Sequence, residues 1–477
     1  MHRLWKKERE LAVVGSSGQP LRVAVIGSGP AGFYVADHLF KRSNLVVQVD
    51  MYERLPTPYG LVRFGVAPDH EKIKNVTRVF DRIASNPGFR FFGNVDVGKH
   101  LSPEDLRRHY HQICFATGAQ MDRRMGIPGE DLAGSHPATE FVAWFNGHPD
   151  FRDREFDLSA ERVAVIGVGN VAVDVARILC RTPEELARTD IADHALEVLG
   201  ASRVKEVYML GRRGPAQAAF TVPEVKELGE MPGADVHVRA DEVELDELSR
   251  AEAERSEDGA VAKKLAVLEE FSRRSSWDKP RQLFLRFLVS PVELLGSDVG
   301  HVSGLKLVKN RLYAGSKGKL RAQPTEEFEQ LPVDLVFRSV GYRGTAIEGL
   351  PFDEAWATVP NERGRIESPD GRHDVVGLYV SGWIKRGPTG VIGTNKPDAA
   401  ETVQSMVEDV IEGKILRPVD PDPVSAERAV SCRQPDCVSY ADWRQIDRLE
   451  TERGEASNRP RVKFTAVEEM LSALGKE

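Results

Sequence analysis

One pattern, written twice, restricts this chain more than anything else in it. Residues 21–41 read LRVAVIGSGPAGFYVADHLFK and residues 161–181 read ERVAVIGVGNVAVDVARILCR. Each is a short β-branched strand, a glycine turn and a helix with small residues in its first turn. A single turn of this kind is weak evidence, because glycine serves many tight turns. Two of them, each following the strand RVAVIG and about 140 residues apart, commit the chain to two βα nucleotide-binding units. The expected class is α/β, with two Rossmann-like three-layer domains. The 477 residues also exceed what one core supports.

Composition narrows the partners rather than the fold. A formal net charge of −8 argues against nucleic acid as a partner. No apolar run reaches 18 residues, so no membrane span is expected. The first twenty residues lack a secretory segment and carry Glu8 and Glu10, which disfavours an organellar leader. They read as a disordered or loosely docked extension. Four cysteines, Cys114, Cys180, Cys432 and Cys437, suit a reducing, cytoplasmic compartment. The last two, in CRQPDC, read as ordinary loop thiols, and no metal site is expected.

Between the two units, residues 70–85 are expected to form a helix capped by Asp69, and residues 109–120 a strand ending in a Thr-Gly turn. Beyond the second unit, 183–199 and 258–275 read as helices and RVKEVYMLG as the next strand. QLFLRFLVSPVELLG and VSGLKLVKNRLY alternate as antiparallel strands would; LPVDLVFRSVGYRG and VGLYVSGW read as strands. A glycine loop then opens a helix, with Thr394 or Asn395 as cap, Pro397 in the first turn and Gly413 as stop. The tail from 414 is Pro-rich, then polar, with a helix near 463–475 and no assigned chemistry.

In GSGPAG, Gly27 permits the tight turn, Gly29 lets the backbone approach a pyrophosphate, and Gly32 lets helix and strand pack closely. Glu53 follows at the end of VVQVDMYE, where a carboxylate accepts hydrogen bonds from an adenosine ribose. The second turn, GVGNVA, keeps Gly167 and Gly169 but has Ala172 third. Where the equivalent of Glu53 should stand, the next strand ends in Gly211-Arg212-Arg213. A carboxylate would repel a 2′-phosphate, whereas two guanidiniums clamp one, so this cradle suits NADP(H). Ala172 and Arg212 are 40 residues apart, about twice the usual gap, which the 183–199 insertion explains if strand order is intact. Two different dinucleotides suggest FAD first and NADPH second. In the loop 387–393, Gly387, Gly390 and Gly393 would let amides approach a flat ring, with a helix N-terminus aimed at it.

Taken together, these motifs resemble the adrenodoxin reductase-like ferredoxin–NADP reductases, within the glutathione-reductase-like flavoproteins. The resemblance spans about 21 to 475. It rests on GSGPAGFYVADHL, PTPYGLVRFGVAPDH, FFGNVDVG, IPGEDLAG, GVGNVAVDVARIL, GRRGPAQAAFTVPEVKEL, RSVGYRG and GWIKRGPTGVIGTNKPDA. The leading extension departs from the pattern, and so does Pro223, which a first helical turn tolerates. The resemblance implies an extension of 1–20, a discontinuous FAD-binding domain of 21–118 and 344–477, and an NADP-binding domain of 119–343.

It also implies roles. Ala31, Glu53, Leu61 and Val97 would line FAD, with Trp383 and Gly390-Val391-Ile392 beside the isoalloxazine. Gly167, Val168, Gly169, Asn170, Arg212, Arg213 and Glu224 would hold NADP(H). His70 and Glu227 resemble the polar pair near the nicotinamide; Glu224 is favoured for nucleotide contact and Glu227 for the nicotinamide region, with the reverse assignment as the alternative. The plainer readings are an exposed charged face for the two glutamates and simple core for Trp383. The implied activity passes hydride from NADPH to FAD and then single electrons to a ferredoxin-type iron–sulfur protein. Lys226, Arg273, Arg274 and Lys279 are candidate contacts for it. The rivals are a disulfide reductase, a flavin monooxygenase and a non-catalytic dinucleotide-binding regulator. Cys432 and Cys437 have a disulfide reductase's spacing but lie in the tail, far from either glycine turn.

Overall fold

The two repeated strands form the centres of two separate sheets. The computed structural model describes residues 14–255, 259–315, 318–371 and 374–476. The strand Leu21–Ile26 lies in a seven-stranded sheet of order 361–362, 365–366, 378–380, 112–115, 21–26, 47–52, 89–92. Its five strands from Leu378–Val380 to Phe89–Phe92 run parallel, and the short pair at the other edge is antiparallel. The strand Arg162–Ile166 lies in a six-stranded, wholly parallel sheet of order 135–137, 335–338, 162–166, 206–210, 281–286, 234–238.

The three-layer arrangement follows from the side-chain alternation of these strands. Leu21, Val23 and Val25 enter one apolar cluster, with the helices Pro30–Phe40 and Asn395–Glu412, while Ala24 and Ile26 enter another. Both faces are covered, which is why all six residues of the strand are buried. In the second sheet Val163 and Val165 face helices, and Ala164 and Ile166 face a three-stranded antiparallel sheet. That sheet comprises Val289–Gly296, Val302–Ala314 and Leu320–Leu331.

Several expected elements differ in detail. The stretch expected as one helix over 70–85 is two, Glu71–Lys74 and Thr77–Ala84, and the first is capped by His70 rather than Asp69. The insertion at 183–199 is likewise two helices, Pro183–Leu186 and Asp193–Gly200. QLFLRFLVSPVELLG is not one antiparallel strand. Its first half, Arg281–Arg286, joins the parallel sheet, and Leu288 at φ +55° turns the chain before Val289–Gly296. The tail holds more structure than expected: helices Pro423–Arg433, Tyr440–Glu455 and Val467–Ser472. Of the leading extension, residues 1–13 lie outside the described residues. Residues 14–20 are docked, with Gly15 donating to Gln19 O and accepting from Val46 N–H.

The chain passes from the first sheet to the second after Phe115 and returns after Arg338. The two crossings pair as a short antiparallel ribbon, Met121–Asp122 against Tyr342–Arg343.

Candidate functional site

The glycine turns are built alike. Gly27, at φ +103°, donates to Tyr52 O, and Gly167, at φ +134°, donates to Leu210 O. A Cβ on Gly27 would meet Ala116 O at 2.5 Å, and one on Gly167 would meet Ser339 O at 2.3 Å. Neither position admits a side chain. A Cβ on Gly32 would lie 2.1 Å from Gly27 O, so this helix packs onto its turn only because Gly32 lacks one. Gly29 and Gly169 are the opposite case, for a Cβ there meets nothing within 4 Å. They are the N-caps of Pro30–Phe40 and Asn170–Cys180, and neither helix has a side-chain cap. Two helix N-termini thus present first-turn amides to open cradles, the arrangement that takes a phosphate.

Around the first cradle, Glu53 accepts from Ser28 N–H and Oγ–H through Oε2, at 3.1 and 2.6 Å, and from Leu55 N–H through Oε1. The carboxylate is locked in place with acceptor capacity remaining. Tyr59 and Gly60, at φ +87° and +49°, swing the next loop inward, and a Cβ on Gly60 would sit 3.1 Å from Gly29 Cα. Leu61 follows at the start of the short helix Leu61–Phe64. Val97 packs against the cluster that contains Ile26. Gly382 approaches Ala31 so closely that its Cβ would meet Ala31 Cβ at 2.6 Å, and this brings Trp383 to the same cradle. Trp383 is not core: it is half-buried, its indole N–H donates to Thr389 O, and its ring lies 5.2 Å from that of Tyr342. Gly390 and Val391 are exposed and Ile392 is half-buried. Asp398, which the sequence reading passed over, pins this loop by accepting from Gly382 N–H at 2.6 Å and Ser381 Oγ–H at 3.1 Å.

Around the second cradle, Val168 O accepts from Ala219 and Phe220 N–H, and Asn170 Oδ1 accepts from Thr221 N–H. The helix Val222–Leu228 starts there, with Pro223 in its first turn. The 40-residue gap is harmless, because Glu206–Leu210 still pairs in parallel beside Arg162–Ile166. Arg212 is exposed and Arg213 half-buried. Among the described residues the only hydrogen bond from either guanidinium is Arg213 Nη2 to Gln217 O, at 3.3 Å. Burial, then the charge of Arg212, pulls the Arg213 guanidinium below its ordinary value. An anion placed between the two would relieve that repulsion.

Where the two lobes meet, His70 Nε2 lies 2.8 Å from Glu227 Oε2 and 3.9 Å from Glu224 Oε2, and Nδ1 lies 3.8 Å from Asp174 Oδ1. Arg177, fully buried, organises the group. It donates to both oxygens of Asp69, at 2.7 and 3.0 Å, to Asp174 at 2.7 Å and to Glu224 at 3.4 Å. Arg181 adds a third bond to Asp69. Burial works to raise Asp69, but Arg177 and Arg181 overcome it and hold that carboxyl well below its usual range. Asp174 and Glu224 move upward instead, both chiefly through burial, Glu224 also through the charge of Asp174. Four carboxylates therefore face two guanidiniums across an imidazole. Glu224 is no exposed face, being only 9% accessible. Asp69, Asp174, Arg177 and Arg181 were missed from the sequence; the one available signal was an Asp and an Arg three apart inside an apolar helix.

Other expectations fall elsewhere. All four cysteines are free, and Cys432 is exposed on the helix Pro423–Arg433. Burial pushes the Cys114, Cys180 and Cys437 thiols up to about 12. The structure therefore holds no disulfide between Cys432 and Cys437. Of the four basic residues offered to a partner, Arg273 and Arg274 pair with Glu269 and Glu270, and Lys279 donates to Met231 O and Ala234 O. No described helix is long and apolar enough to cross a membrane.

Comparison with known proteins agrees with this geometry. A family profile described as pyridine nucleotide-disulphide oxidoreductase matches residues 21–210. NADPH-ferredoxin reductase FprA of Mycobacterium tuberculosis is 46% identical over 462 residues, covering 95% of this chain and 99% of its own. The mitochondrial NADPH:adrenodoxin oxidoreductase of Salvelinus fontinalis is 42% identical, covering 94% and 90%. A solved structure of Mycobacterium tuberculosis FprA in complex with NADPH superposes with a TM-score of 0.89 at 44% identity, covering 96% of this chain and 100% of that one.

Proposed function

The chain belongs to the NADPH-ferredoxin and adrenodoxin reductases of the pyridine nucleotide-disulphide oxidoreductase class, and on that premise we propose that it moves electrons from NADPH, through bound FAD, to a ferredoxin-type iron–sulfur protein. One observation carries the reading. The same βα unit occurs twice, with a locked carboxylate beside the first cradle and, beside the second, two arginines that make no ion pair among the described residues. The first suits an unphosphorylated ribose and the second a 2′-phosphate.

The FAD-binding domain is residues 21–118 and 344–477, and the NADP-binding domain is 119–343. FAD would rest on the Gly27–Gly32 turn, held by Ala31, Glu53, Leu61, Val97, Trp383 and Gly390 to Ile392. NADP(H) rests on Gly167 to Asn170, with Arg212, Arg213 and Glu224. FAD, when bound, supplies the conversion from a two-electron donor to a one-electron acceptor. Everything else is positioning by the chain. His70 and Glu227 hold the nicotinamide end, and no proton need move for a hydride to leave. Asp174, Glu224 and Glu227 outnumber Arg177 there, so they stabilise the positive charge that builds on the nicotinamide as hydride departs. The four free cysteines fit a reducing, cytoplasmic compartment.

The decisive experiment is NADPH-driven reduction of cytochrome c with and without the host's ferredoxins. Purified protein should be yellow, and an added ferredoxin should raise the rate. Colourless protein, or a rate that no ferredoxin changes, would overturn the reading.

A further inference from the structure

We propose that His70, Glu224 and Glu227 form a site for a borderline divalent ion, with Zn2+ as the type case, and that its occupancy excludes the nicotinamide. The exclusion rests on the function proposed above; the binding does not. His70 Nε2 and one oxygen of each glutamate lie within 4.8 Å of one another. Zinc bonds to nitrogen and oxygen are about 2.1 Å long, so a tetrahedral ion wants ligand atoms about 3.4 Å apart. The two separations from Nε2, 2.8 Å to Glu227 and 3.9 Å to Glu224, fall on either side of that value. The ligands come from one rigid helix at positions three apart and from the residue that caps Glu71–Lys74, so modest side-chain motion closes the set.

Two further features distinguish this from an ordinary acidic cluster. His70 turns its other nitrogen toward Asp174 Oδ1, which at 3.8 Å stands just outside hydrogen-bond distance, and a carboxylate that closes onto the imidazole is the usual partner of a metal-binding histidine. The charge is also unbalanced, since among the described residues Arg177 and Arg181 are the only guanidiniums paired with Asp69, Asp174, Glu224 and Glu227. Arg177 Nη1, 3.4 Å from Glu224 Oε2 and 3.9 Å from Glu227 Oε2, opposes a cation, but Asp69 and Asp174 take up that guanidinium through Nε and Nη2. An imidazole among the ligands selects Zn2+ over Mg2+ or Ca2+, which prefer oxygen alone. Glu227, with a side chain 40% accessible, gives the ion a way in.

The test uses oxidised, FAD-loaded full-length protein in a Cys432→Ser background, which removes an exposed thiol that would compete as a zinc ligand. Zinc affinity is read by competition with a chromophoric chelator. One ion per chain should bind, a large excess of Mg2+ should not displace it, and NADP+ should. His70→Ala and Glu227→Gln, checked for normal flavin content, should each weaken binding at least tenfold. No binding below 100 µM zinc, equal binding in both variants, or binding indifferent to NADP+ would overturn the proposal. NADPH oxidation measured in a chelator without zinc tests the reductase reading separately.

Discussion

Arg212 and Arg213 show how a residue's meaning depends on what lies opposite it. An Arg-Arg pair on a surface loop is ordinarily solvated charge; here it follows Leu210 at the end of a strand beside a glycine cradle, and no carboxylate pairs with it among the described residues. A charge-assisted hydrogen bond contributes about 1.5–3 kcal/mol. Arg212→Ala or Arg213→Ala should therefore raise KM for NADPH roughly 10- to 100-fold and leave KM for NADH nearly unchanged. Steady-state kinetics with the two coenzymes decides it, and equal effects on both would refute the phosphate clamp. These arginines, Glu53 and the cradle glycines were legible in the sequence because each requirement is local, an offset from a strand or a turn. The cluster at His70 was legible only in part. His70 and Glu227 meet directly although they are 157 positions apart, and the carboxylates around them are gathered by Arg177, buried in a helix whose sequence reads as apolar. An Asp-x-x-Arg pair on a helix reads as a surface ion pair, and only the tertiary approach of Asp69 and Glu224 makes it an organising centre.

Among the elements, the tail gave the largest surprise. Its polar composition concealed the helix Tyr440–Glu455, which buries Trp443 and Ile446 against the first sheet's core and places Glu450 entirely out of solvent. Such a helix is hard to read because its buried stripe includes a charge. Glu450 accepts two bonds from Arg63, at 2.5 and 2.9 Å, one from Arg461 and one from Phe464 N–H. Burial pushes its carboxyl up, and the Arg63 charge outweighs that and brings it below its ordinary value. Removing one member of a buried pair leaves the other uncompensated, at a cost of about 3–5 kcal/mol. Glu450→Ala should lower the melting midpoint strongly, with Glu450→Gln intermediate because it keeps some of the bonds. An unchanged midpoint in scanning calorimetry for Glu450→Ala would show that the tail does not brace the first sheet. The antiparallel excursion failed for a different reason. A parallel strand buried on both faces and an antiparallel edge strand can share one apolar run, and only the positive φ at Leu288 separates them.

At the scale of the whole molecule, the two sheets are joined covalently by the ribbon of Met121–Asp122 and Tyr342–Arg343, and by charge elsewhere. Lys74 from the first lobe and Lys463 from the tail both pair with Asp190 of the second. Burial would raise Asp190, but these two lysines hold it down at about 2. A carboxylate with a depressed folded pKa stabilises above its unfolded value near 4, and that contribution fades as pH falls toward 2. Asp122, in the ribbon, works the other way. Among the described residues no side chain donates to either of its oxygens, and Arg338 Nη2 stands off at 3.9 Å. Burial drives its carboxyl up to about 7, Arg338 opposes that only partly, and Glu130 adds to it. In the folded protein Asp122 keeps its proton to near neutrality, whereas in the unfolded chain it loses it near 3.8. Stability therefore declines as pH rises from about 4 to 7, and the deficit persists above 7. Asp122→Asn abolishes the ionisation and should stabilise the protein at pH 8 by about 1–2 kcal/mol, once solvent screening of a partly exposed carboxylate is allowed for. The gain should vanish near pH 4, where the wild-type carboxyl is protonated in the folded state and half-protonated in the unfolded one. Melting midpoints of the two proteins across pH 4–8 measure this directly. Parallel curves would mean that Asp122 ionises as freely folded as unfolded, and that the ribbon between the lobes carries no buried charge.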